Sequence, residues 1–447
     1  MKKLAIVLGV IVLAFIIFWV MKPKISNNLY QKAEIYADSL MFQNALEYYN
    51  KALKFDKKNY KVLLSRAEAY YQLEKDEKAL ADYNEVIANE KDNVPALIGR
   101  ALIFINKEEW NKAKEDLQHA HDLDKENANI KYFLAYALSN LKEYAKAKTL
   151  LDEAIEMDKN YAEAYHQRGI VKANLDDLEG AVKDFNKALE LDKENLDAYQ
   201  RRVKYRIDKA DYRGAIADYD EIIALDKENQ DAYYQRGYFK LRIQDYEGAI
   251  EDFTKSIEIN PKHTKSYQKR GNAKAAMQNY KEALKDYDKA IELENDNSET
   301  FFTKGMVYMN LSEPAKAFNE FTKAIKRKKD YSEAYYMRGV SRAMQQNYEK
   351  SIADFNLSIK YNQEYYDAYL GRAISYGMLE GHEKALADYD TYLKHVKDNG
   401  SAYLNRGVSR INVQDTKGGC EDFQKALELG IEQAQDMLNM YCKSVNI

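Results

Sequence analysis

Residues 162–195 read AEAYHQRGIVKANLDDLEGAVKDFNKALELDKEN. Two apolar patterns of helical period are separated by Asp176-Asp177, and Asp192-Lys193-Glu194-Asn195 closes the stretch with turn-forming residues. The pattern predicts two short amphipathic helices folded back on each other as a hairpin. At a spacing of 34 it returns along the chain, giving twelve units that begin at 26, 60, 94, 128, 162, 196, 230, 264, 298, 332, 366 and 400 and end at Gln433. Position 8 of the unit is small, as in Ala33, Gly169 and Gly407, with Val203 the exception, while position 24 is always large, as in Tyr49, Phe185 and Phe423. Small facing large at a fixed offset is how two helices interdigitate. No linker separates the units, so they read as one continuous stack in which each hairpin covers its apolar face with its neighbours.

At these positions the chain resembles the tetratricopeptide repeat (TPR) family, whose pattern runs aromatic, Leu-Gly, Tyr, Ala, Phe, Pro through a unit of this length. The resemblance covers Ser26 to Gln433. It implies an all-α fold, a right-handed superhelical solenoid of about twelve helical hairpins. Three departures stand out: position 32 is proline only at Pro261, position 7 is mostly arginine, and position 11 is often basic. The resemblance also implies that positions 2, 5, 9, 12 and 13 of each first helix face a concave groove. Here they include Tyr132, Tyr136, Asn140, His166, Asn174, Tyr234, Tyr238, Phe302, Asn310 and Tyr336, the expected partner-binding residues. Aromatic rings supply contact area at small entropic cost, and asparagine both donates to and accepts from an extended backbone, so a protein or peptide partner is expected. TPR clamps for chaperone tails pair a lysine at position 5 with an asparagine at position 9; no unit has both, and Gln268 with Asn272 comes nearest.

Residues 434–447 keep an apolar stripe through Met437, Leu438 and Tyr441 and are expected to form a capping helix over the last hairpin. Cys420 and Cys442, the only cysteines, then stand at similar heights on antiparallel helices, near enough for a disulfide; two free buried thiols are the alternative. At the other end, a short tail (1–3) precedes Leu4–Met21, an uncharged run of about 27 Å in helical form, with residues 22–25 as linker. It is expected to be an uncleaved transmembrane signal anchor, which would make the chain a membrane-anchored, bacterial-type single-pass protein touching the membrane through its N-terminal helix. The bulk is expected to be extracytoplasmic, in the periplasm, with the cytoplasmic orientation as the alternative because lysines flank the run on both sides.

Composition narrows the function. Lys+Arg at 68 against Asp+Glu at 72 leaves −4, with no basic field for nucleic acid. His119 and His121, two residues apart on a helix, point about 200° away from each other, and no metal or cofactor is expected. No phosphate loop, HExxH or GxSxG occurs, so the chain reads as no enzyme. Arginine at position 7 (Arg168, Arg236, Arg406) recurs with aspartate at position 23 (Asp184, Asp252, Asp422), which reads as a structural ladder rather than a basic stripe for an acidic ligand. The expected function is a membrane-anchored scaffold that binds a protein or extended peptide in its groove. The alternative is a structural subunit of an envelope-associated assembly that uses convex-face or edge contacts.

Overall fold

The computed structural model describes residues 2–443, the side chains of 2–7, 9, 14, 17 and 18 excepted. All regular secondary structure among the described residues is helical. Positions 1–13 of a repeat form a first helix and positions 17–30 a second, as in Tyr60–Gln72 with Asp76–Asn89; the last second helix, Thr416–Glu428, is one residue shorter, and the first repeat begins within the longer helix Lys2–Asp38. Asparagine at position 34 starts many of the first helices by accepting a backbone N–H three residues on, as Asn59 does from Val62 and Asn195 from Ala198. Aspartate at position 16 does the same for second helices, Asp177 accepting from the Gly180 N–H and Asp245 from that of Gly248. Between the two helices, position 15 has positive φ in all twelve repeats, from 55° at Glu74 to 67° at Gln414, and none of these residues is glycine. The reversed residue lets the next N–H return to the first helix, as Asp177 N does to Lys172 O at 2.9 Å, which satisfies a carbonyl the helix end would leave open.

The chain forms two compact segments, Met1–Ala210 and Asp211–Ile447. In the first, Tyr49, Leu117 and Leu151 at position 24 are almost fully buried; in the second, Phe253, Phe321, Phe355 and Phe423 hold that place. The facing residue at position 8 is matched to them. A Cβ on Gly305 would lie 2.6 Å from the Phe321 ring, and one on Gly169 the same distance from Phe185. Every phenylalanine at position 24 faces a glycine, whereas alanine at position 8 faces tyrosine or leucine.

The arginines at position 7 join repeats as well as helices. Arg66 donates from Nε and Nη2 to the two carboxylate oxygens of Asp82, at 2.7 and 2.8 Å, while Nη1 reaches Asn50 of the preceding repeat at 2.7 Å. In the second segment Arg236 holds Asp252 in the same way and reaches back to Asp220 at 2.6 Å. Asp252 is only 3% exposed and also takes Lys240 at 2.9 Å. The paired position-7 and position-11 cations therefore converge on one buried carboxylate. The backward reach to position 25 was not read from the sequence, because Asn, Asp and Thr all serve there.

Gln433–Tyr441 packs on Thr416–Glu428, and Cys420 and Cys442 are joined by a disulfide with Cα atoms 5.8 Å apart. Residues 444–447 of the expected cap lie outside the described residues.

The N-terminal expectation is corrected. No helix among the described residues is long and apolar enough to cross a membrane, so the single-pass membrane localisation, in either orientation, does not stand. Residues 22–25 are not a linker. A single helix, Lys2–Asp38, with Pro23 inside it, continues unbroken into the first repeat. From Lys22 onward it takes up Lys24, Asn27, Asn28, Lys32, Glu34 and Asp38, so this part of the helix is mixed rather than apolar. The residue-1 end of the tail and several side chains of Leu4–Met21 lie outside the described residues.

Candidate functional site

In both segments the first helices of successive repeats lie side by side, and the cavities between them are lined in part by the positions the repeat pattern singles out. In Met1–Ala210 the surface changes character along the row. Glu34, Asp38 and Glu68 edge a cavity of about 340 Å³ over Tyr49. Tyr30 donates to Glu34 at 2.7 Å and Tyr49 donates to its other oxygen. Burial, opposed by the Ser65 hydroxyl and reinforced by the Glu34 carboxylate, pushes the Tyr30 phenol up to about 12.

Further along, Tyr132 and Tyr136 stack at 6.4 Å, with Trp110 edge-on to Tyr136 and Phe133 and Tyr161 against Tyr132. Burial pushes Tyr132 up to about 12. Asn140 and Asn174 are exposed, and both spend Nδ2 on carbonyls of their own helices, those of Tyr136 and Ile170. Asn174 also lines a cavity of about 300 Å³ with Phe185, Arg201, Lys204 and Asp208. His166 rests 5.9 Å from the Phe185 ring, its Nε2 2.8 Å from Asp197 but out of line for a hydrogen bond. Burial holds its imidazole below the usual value, with the Asp197 carboxylate opposing and Arg201 assisting.

In Asp211–Ile447 the expected aromatic residues are half-buried and pack partly on the core. Tyr234 lies against Phe253 and His263, Tyr238 against Phe239, and Phe302 against Phe321 and Tyr331. Rings at position 5 therefore pack on their own hairpin. Asn310 is exposed at the end of its helix. Tyr336 touches Phe355 and Tyr365 and lines a cavity of about 410 Å³ between Ser332–Met344 and Tyr366–Met378. Its other walls, Val340, Met344, Leu370, Ile374 and Met378, stand at positions 5, 9 and 13 of repeats ten and eleven. These aliphatic residues occupy groove positions of the repeat but carry no ring face or amide by which the sequence would mark them as contacts.

The serine and histidine contacts in the second segment are structural. His263 Nδ1 lies 2.7 Å from Ser266 Oγ, which lies 2.8 Å from Ser256 Oγ, yet both serines are fully buried with no path for a substrate. The group fastens Tyr246–Ile259 to Thr264–Ala276. Among the described residues no cluster of three His, Cys, Asp or Glu side chains could hold a metal; His119 is taken up by Asp92 at 2.9 Å.

Sequence models described as tetratricopeptide repeat match residues 30–94, 104–168, 162–195, 230–263, 264–297 and 302–365, together more than half of the chain. The chain belongs to the tetratricopeptide repeat family. Solved structures with similar folds include the Cut9–Hcn1 hetero-tetramer of the APC/C, at 13% identity over 94% of this TPR chain and 96% of that one, TM-score 0.44. Yeast Tom70 matches at 16% over 94% and 95%, TM-score 0.36. YrrB, described as a TPR protein with an unusual peptide-binding site, matches at 25% over 43% and 98%, TM-score 0.39. No curated protein sequence matches this TPR chain.

Proposed function

We propose that this TPR chain is a non-catalytic scaffold that holds a protein partner by an extended segment laid across the row of first helices. The observation that carries the reading is the location of the cavities: Asn174 in one segment and Tyr336 in the other line spaces walled by groove positions of adjacent repeats. The strong cations of the repeats are already spent on buried aspartates, which leaves side-chain shape and the weaker exposed charges to choose a partner. A photocrosslinking residue placed at Asn174 or Met344 should capture the same native partner. The same residue at exposed second-helix positions such as Lys183 or Lys350 should not. Capture confined to the second-helix positions would favour a structural subunit assembled through that face and end the groove reading.

A further inference from the structure

The cavity between Ser332–Met344 and Tyr366–Met378 differs from the other groove cavities in its chemistry. Its walls include Val340, Met344, Leu370, Ile374 and Met378, and Asp367 is its only ionisable group of either sign apart from the phenols of Tyr336 and Tyr348. Met344 and Met378 are 53% and 57% exposed, so two flexible, polarizable side chains stand open at the rim where a ligand would enter. Asp367 is exposed, and so is Glu333 at the same position of the repeat before; neither makes an ion pair among the described residues. The Asp367 charge reaches into the space: after burial it is the first cause that holds the Tyr336 phenol above its usual value. Of the two cavities in the first segment, the one beside Asn174 has Arg201 and Lys204 in its wall together with Asp208, and the one over Tyr49 is edged by the carboxylates of Glu34, Asp38 and Glu68 rather than by an apolar slot.

Resting on the groove reading above, we propose that this cavity receives a long aliphatic side chain of an extended peptide whose neighbouring residues are basic. An unpaired carboxylate at the end of an apolar slot with no cation in its wall favours Lys or Arg beside the apolar residue and repels Asp or Glu. The geometry is compatible. In an extended chain a residue two places along points to the same side, about 6.8 Å away. Ile374 and Asp367 are seven residues apart on one helix, about 10 Å along its axis, a gap that a lysine stem closes.

The test uses the full chain and a fluorescein-labelled decapeptide of serine and glycine with one leucine and a lysine two places to either side of it. Two counterparts carry glutamates for the lysines or serine for the leucine. Anisotropy should show the lysine–leucine peptide binding about tenfold more tightly than either counterpart, about 1.4 kcal/mol. Asp367→Lys with Glu333→Lys should invert the charge preference, and Ile374→Glu should abolish binding; all three positions are exposed, and circular dichroism checks that helix content is kept. Equal binding of the lysine and glutamate peptides, no binding of the lysine–leucine peptide, or indifference to these substitutions would overturn the proposal. Where a peptide binds indifferently, crosslinking locates it: attachment around Lys204 would retain the groove reading while ending this inference, and attachment to second helices would end both.

Discussion

His166 shows how a single side chain in this fold is tuned by its repeat neighbours. It sits half-buried beneath Phe185 with Asp197 and Arg201, themselves paired at 2.6 Å, at its edge. Burial favours the neutral ring, so the folded chain binds fewer protons at this site than the unfolded chain, whose histidine titrates near 6.5. The sign follows: the stability contributed by neutral His166 is present above about pH 6.5 and is lost as the pH falls below it. The thermal midpoint of the natural chain should therefore drop more between about pH 7.5 and about pH 5.5 than that of His166→Gln. Parallel pH profiles for the two proteins would contradict this account. The positive-φ residues carry a cost at the same scale. A side chain other than glycine in that region costs about 1–2 kcal/mol, and each repeat meets it by satisfying the end of its first helix.

At the scale of the hairpin, the pairing of positions 8 and 24 sets how closely two helices approach. Gly305→Ala would push a methyl group to within 2.6 Å of the Phe321 ring. Overpacking costs about 1–3 kcal/mol, and the better helix propensity of alanine returns about 1 kcal/mol, so the net loss should be about 1 kcal/mol by denaturant titration. Phe321→Leu, which restores the Ala–Leu pairing found at Ala101 and Leu117, should recover part of it in the double variant. Additive losses would show that the match between the two positions is not what governs their spacing. The arginine clamp works at the same level: with Asp252 buried and three donors already directed at it, the ladder contributes register between repeats rather than a surface for ligands.

Over the whole molecule, a stack of hairpins is stabilised mainly by nearest neighbours, so its ends are its weakest points. The C-terminal end is held by Gln433–Tyr441 and by the disulfide, which closes a loop with a sequence separation of 22 residues. By the loop-entropy relation such a bridge is worth about 3 kcal/mol. Cys442→Ser should speed amide exchange within 416–441 and lower the stability of the last hairpin by up to about 3 kcal/mol, while exchange in the first segment stays unchanged. Unaltered exchange across 416–441 would mean that packing of Ala434 and its neighbours alone secures the cap.

The helical hairpins and the small-against-large pairing were legible in residues such as Gly169 and Phe185, because a period of 34 repeats the same local physics and each occurrence checks the others. The arginine–aspartate pairs were legible for the same reason. The left-handed residue at position 15 was not, since Leu40, Glu74 and Ala210 signal no reversal, and only the closing of one helix on the next imposes it. An apolar run at Leu4–Met21 suggested a separate span, but whether a helix ends or continues past Pro23 depends on what it packs against, and here it runs on into the first repeat. The groove was legible as a set of positions. Which of them stand open was decided by tertiary contacts: Tyr234 and Phe302 turn partly onto the core, whereas Met344, Ile374 and Met378 remain exposed at the mouth of a cavity formed by two repeats. A periodic sequence determines the unit and its stacking through short-range packing, while a cavity between units depends on side chains from two of them, and only their assembly sets its shape and charge.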